Sequence, residues 1–78
     1  MASIPDDVKS EPASIRFLWY LLRQEGQTTQ RELRRLSGYD RDVVADALRQ
    51  LERAGYAVDE GRPPNDLRTR RWRFQGDE

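Results

Sequence analysis

Five arginines gather near the C-terminal end of the chain. Arg62, Arg68, Arg70, Arg71 and Arg73 stand against Asp66 alone, a local balance of +4. A guanidinium fork stays charged at any physiological pH and donates two parallel hydrogen bonds to phosphate oxygens, so such a cluster suits an anionic partner. Other chemistry is scarce. The 78 residues include no histidine and no cysteine, which removes the usual general base and the commonest nitrogen and sulfur metal ligands. No pair of carboxylates stands apart from the helix surfaces. The chain is therefore expected to be no enzyme, with no catalytic residues, no metal and no cofactor.

Formal net charge is zero, 14 basic residues against 14 acidic, so only its distribution is informative. Met1 to Pro12 carries Lys9 against Asp6, Asp7 and Glu11, a balance of −2. Thirteen of the basic residues are arginine, for which a GC-rich genome is the first explanation. Hydrophobic and charged residues each make up 36%, and a chain of this length supports one domain with a thin core. The acidic N-terminus has no apolar run, so it does not read as a signal peptide. No stretch is apolar enough to span a membrane. A cytoplasmic protein is expected.

The elements that must position the arginines follow from periodicity and caps. Residues 1–10 read as a flexible polar tail. A first helix should begin around Glu11 to Ser14, with Pro12 in its opening turn, and stop near Gly26. Ile15, Leu18, Trp19 and Leu22 form its inner stripe, which Phe17 and Leu21 widen. Thr29-Gln30-Arg31-Glu32 is a capping-box pattern, with the Thr29 hydroxyl accepting from the Glu32 amide and the Glu32 carboxylate reaching back. It opens a short helix with Leu33 and Leu36 inward. Asp40 caps a third helix with Val44, Ala47, Leu48 and Leu51 inward, and Gly55 closes it. Beyond Gly55 the period changes to two. Tyr56 and Val58 face one way, Ala57 and Asp59 the other. Glu60 to Asp66 is turn-rich, and alternation resumes with Trp72 and Phe74 opposite Arg71 and Arg73, as in a hairpin. Residues 75–78 form a short acidic tail.

TTQRELRRLSGYDRDVVADALRQLERAGYAV followed by NDLRTRRWRF resembles the winged helix-turn-helix family, in particular MarR-like and PadR-like regulators, over roughly Ser14 to Phe74. The resemblance implies an α+β fold for residues 11–74: three helices and a C-terminal β-hairpin wing, with Gln27-Thr28 able to add a short third strand. It also implies a sequence-specific regulator that binds double-stranded DNA, the third helix in the major groove and the second bracing it. Thr29 and Gln30 would then meet a phosphate, with Arg31 and Arg34 nearby. The outward face of the third helix offers Arg41, Asp42, Ala45, Asp46 and Arg49. Arginine reads guanine and a carboxylate accepts from cytosine. Arg68, with Arg62 and Arg70, would bring the wing to backbone or minor groove, held by Asp66.

From Asp40 to Arg53 the balance is −1. That favours an alternative, a module that binds a protein partner. Trp72 and Phe74 between arginines could stack on single-stranded bases, but such aromatics more often pack a hairpin onto helices, and Tyr39 reads as structural. The wide apolar face of the first helix, with Phe17, Trp19 and Leu21, suits a homodimer. Ile4 and Val8 folding over it is the other reading.

Overall fold

The computed structural model describes residues 4–62, 64–65 and 69–76. Asp66 and Arg68 lie outside the described residues. The chain runs α1 (Asp6–Lys9), α2 (Ala13–Glu25), β1 (Gln27–Thr29), α3 (Gln30–Ser37), α4 (Arg41–Arg53), β2 (Ala57–Gly61) and β3 (Arg71–Phe74). The three strands form one antiparallel sheet in the order β1-β3-β2. The α+β fold, its three main helices and the short strand before α3 are those expected.

The three longer helices form where apolar residues recur at helical spacing, and α3 and α4 are also capped by the side chains of Thr29 and Asp40. Ile15, Leu18, Trp19 and Leu22 recur at i, i+3, i+4 and i+7, and α2 buries all four. Val44, Ala47, Leu48 and Leu51 do the same on α4. The α3 helix is one stripe wide: Leu33 is fully buried and Leu36 half-buried. It ends at Gly38, whose φ of 78° is left-handed and whose amide donates to the Arg34 carbonyl at 2.9 Å. Trp72 and Phe74 turn toward the helices while Arg71 and Arg73 stay exposed, as alternation requires. The Trp19 and Phe74 rings meet edge to face, 5.9 Å between centroids.

Two expectations need correction. Part of the segment read as a flexible tail is α1, capped by Pro5 with Asp6 and Asp7 in its first turn. Val8 is 1% exposed in the core, and Ile4 packs against it. The Tyr56 hydroxyl donates to Asp7 at 2.9 Å, and Arg16 donates to the Glu11 carbonyl at 3.2 Å. Burial of a single valine sets this turn, and a four-residue helix has no periodicity to announce it. Second, Trp19, assigned to a dimer face, is 4% exposed and belongs to the core. Leu21 is half-buried against the same core.

Leu48 has no exposed surface and lies on α4, where that helix packs on α2 and β2. Leu48→Ala should lower the unfolding free energy by about 2–5 kcal/mol, a large share of the stability of so small a domain. Urea denaturation measures it, and a loss under about 1 kcal/mol would contradict a packed site there.

Candidate nucleic-acid interface

Two capped helix starts lie close to the wing. The Thr29 hydroxyl accepts from the Glu32 amide at 3.0 Å, which orders the first turn of α3 and sets Gln30, Arg31 and Arg34. The reciprocal half of the expected capping box is replaced. Glu32 instead takes Arg35 one turn on, through its Nε at 3.0 Å and a second guanidinium nitrogen. That hydrogen bond pulls the Glu32 carboxyl below its ordinary value, a charged donor winning over a backbone amide. On α4, the Asp40 carboxylate accepts from the Val43 amide at 2.9 Å. Beyond this cap the predicted face is present: Arg41, Asp42, Asp46 and Arg49 are exposed around half-buried Ala45. Arg41 Nε lies 4.0 Å from Asp42, both side chains mostly in water, so little attraction is added.

The wing is pinned at its base. β2 bulges between Asp59 and Gly61, which sit opposite Trp72 and Arg71; Gly61, at φ 74°, takes the positive angle the bulge needs. Glu60 accepts from Gln27 Nε2 at 2.6 Å and from Arg73 Nε at 3.1 Å, joining all three strands on the solvent side. The Gln27 bond, and then the bond and charge of Arg73, hold its carboxyl below the ordinary value. Asp59 pairs with Arg70.

These elements enclose a concavity of about 370 Å³. From α3 it is lined by Gln30, Arg31 and Arg34, from the start of α4 by Arg41, and from the wing base by Arg62, Thr69 and Arg70. No carboxylate is among these residues. An adjoining hollow of about 250 Å³ runs along α4 past Ala45, Arg49 and Glu52, and shares Gln30, Arg62 and Arg70 with the first. The expected arginines other than Arg68 thus line these two hollows. Thr29 serves as the cap beside them, and Asp42 and Asp46 are not among the lining residues.

Sequence reasoning missed Asp59, Thr69 and the Gln27–Glu60–Arg73 link. None leaves a local signal, because each depends on a partner across the sheet or on the shape of the wing. Among the described residues, no group of carboxylates could hold a metal ion, and no helix is long and apolar enough to cross a membrane.

A helix-turn-helix of α3 and α4, backed by α2 and flanked by a sheet whose last two strands form the wing, defines a winged helix-turn-helix protein. Residues 11–69 match the model of the MarR family, and the chain belongs to that family. No curated protein matches it. Three solved structures illustrate the fold. A mutant MarR from E. coli complexed with operator DNA is 19% identical, with a TM-score of 0.72 over 86% of this chain and 47% of that one. BpsR of Bordetella bronchiseptica, solved in connection with regulation of its DNA binding by 6-hydroxynicotinic acid, is 19% identical, with a TM-score of 0.75 over 95% and 54%. PcaV of Streptomyces coelicolor, in complex with its natural ligand, is 24% identical, with a TM-score of 0.74 over 86% and 47%. The chain spans about half the length of these solved chains.

A carboxyl held lower in the folded than in the unfolded chain contributes stability above the unfolded value, which is lost as pH falls through the folded one. For Glu60 the contribution should therefore be present above the ordinary 4.5 and disappear in acid. Glu60→Gln should melt below the wild type at neutral pH, and the gap should close as pH falls below that range. A gap independent of pH would rule out the carboxylate charge as its source.

Proposed function

We propose that this chain binds double-stranded DNA sequence-specifically, as a transcription regulator with α4 in the major groove and the wing base on the phosphate backbone or minor groove. One observation carries the reading. Arginines from α3, α4 and the wing open to one concavity with no carboxylate among its described lining residues, and it shares Gln30, Arg62 and Arg70 with the hollow along α4. A duplex laid along α4 would meet the helix and the cationic rim together. The operator DNA held by the E. coli MarR mutant of the same fold supports this use. Thr29, Gln30, Arg31, Arg34, Arg62 and Arg70 take backbone roles in this reading; Arg41, Asp42, Ala45, Asp46 and Arg49 face the bases. Occupying promoter DNA would be enough to repress.

A second copy fits the same reading. Phe17 and Tyr20 remain 38% and 49% exposed on α2, neighbours at i and i+3 with Tyr39 edge-on to Phe17. A two-fold pair through this patch would present two α4 helices to a roughly palindromic site. Exposed Asp42 and Asp46 favour the other reading, a protein partner on α4.

Duplex titrations across salt separate these readings. A dimer neutralising roughly six to eight phosphates should show log K falling against log salt with a slope of about −5 to −7. Arg31→Ala and Arg62→Ala should weaken binding to all sequences and flatten the slope, whereas Arg41→Ala should cost about 1–3 kcal/mol at one base position. A flat salt response would defeat the DNA reading and leave the protein-partner one. Phe17→Glu should leave a monomer by light scattering; unchanged mass would remove the proposed dimer.

A further inference from the structure

Asp59 has an unusual place for a carboxylate. It lies directly opposite buried Trp72 in the β2–β3 register, and residues paired this way share a face of the sheet. Its side chain is therefore on the helix side, only 25% exposed. A half-buried charge is costly unless it is paired and hydrogen-bonded, and both oxygens of Asp59 are engaged. One accepts from the Gly61 amide at 2.8 Å across the bulge; the other pairs with Arg70. The Arg70 carbonyl in turn accepts from the Gln30 amide at 3.0 Å. Arg70 is thus tied through its backbone to the start of α3 and through its side chain to β2. It is also one of the residues common to both hollows.

We propose that Asp59 is a positioning residue of the DNA interface, holding the Arg70 guanidinium where the wing base meets α4 and so setting the phosphate that the wing reaches. This rests on the DNA-binding reading above. Its sign is opposite to that of simple electrostatics. Removing a negative charge from a polyanion-binding face should strengthen binding if the carboxylate acts only through its charge. If it positions Arg70, removing it should weaken binding, because a free guanidinium loses its preorganised direction.

The test uses the full chain and a duplex selected from random DNA, titrated by fluorescence anisotropy at several salt concentrations. The variants are Asp59→Asn, Arg70→Gln and the pair together. Asparagine leaves a single acceptor oxygen for two donors, while Arg70→Gln keeps Asp59 and its Gly61 bond intact. Each single variant should bind roughly tenfold more weakly, the worth of one charge-assisted contact, with a salt slope reduced by about 0.9. The double variant should be no weaker than either single one. Circular-dichroism melts report the folded fraction, so that each affinity refers to folded protein. Wild type that binds beside Asp59→Asn that binds equally or more tightly overturns this proposal alone, as does an Arg70→Gln variant with unchanged affinity. Wild type with no salt-dependent duplex binding overturns the DNA reading and this proposal with it.

Discussion

Everything in this domain hangs on the four residues of β3. The strand is central, paired on one side with β1 and on the other with β2, so both edges of its backbone are engaged. Phe74 donates to the Gly26 carbonyl at the end of α2 (2.7 Å), Gln75 donates to the Tyr56 carbonyl after α4 (2.9 Å), and Arg70, just before the strand, accepts from the start of α3. Three helices are thereby referenced to one strand. Its alternation then divides the molecule: Trp72 and Phe74 close the core from below, and Arg71 and Arg73 face water. A one-residue slip would exchange the two sets and bury two guanidinium groups, so the register is fixed as much by cost as by attraction.

Zero net charge hides a sorting of charges by place. Arg35, Arg70 and Arg73 are matched by Glu32, Asp59 and Glu60, and these pairs stitch turns and strands together. Among the described residues, no carboxylate comes within ion-pair distance of Arg31, Arg34 or Arg62, and all three border the same concavity. Arg35 and Arg73 are not among its lining residues, whereas Arg70 borders it while held by Asp59. Composition averages the two groups to nothing; the fold separates them.

Much of the fold was legible in the sequence because its determinants are local. Thr29 and Asp40 are caps whose hydroxyl or carboxylate bonds an amide three residues on, and the stripes of α2 and α4 are periodic over whole helices. What stayed illegible depends on tertiary partners. Trp19 stood both in the inner stripe of α2 and on the expected dimer face, and its burial against Phe74 decides for the core while Phe17 and Tyr20 stay at the surface. Glu32 had two competing donors at similar spacing, and no rule of sequence chooses Arg35 over the backbone. Asp59 was placed on the same side of its strand as Ala57, but its partner is eleven residues away across a bulge, so spacing gave no reason to single it out. For the site, the arginines on α3, α4 and the wing could be named in advance, but their convergence on one hollow could not, because it depends on how α3 docks against the sheet.

The acidic edge of α4 takes on a meaning in this arrangement. Were the helix itself strongly basic, any duplex would hold it, since phosphate attraction carries no sequence information. With Asp42 and Asp46 exposed on the same face as Arg41 and Arg49, the helix gains little from phosphates and loses wherever a carboxylate faces an acceptor. Only a base edge that donates, such as cytosine N4, relieves that cost. In the DNA-binding reading, attraction comes from α3 and the wing base, and discrimination comes from repulsion built into α4. That division asks for a rigid link between rim and helix, because a wing free to move could satisfy its phosphates while α4 stood clear of the wrong bases.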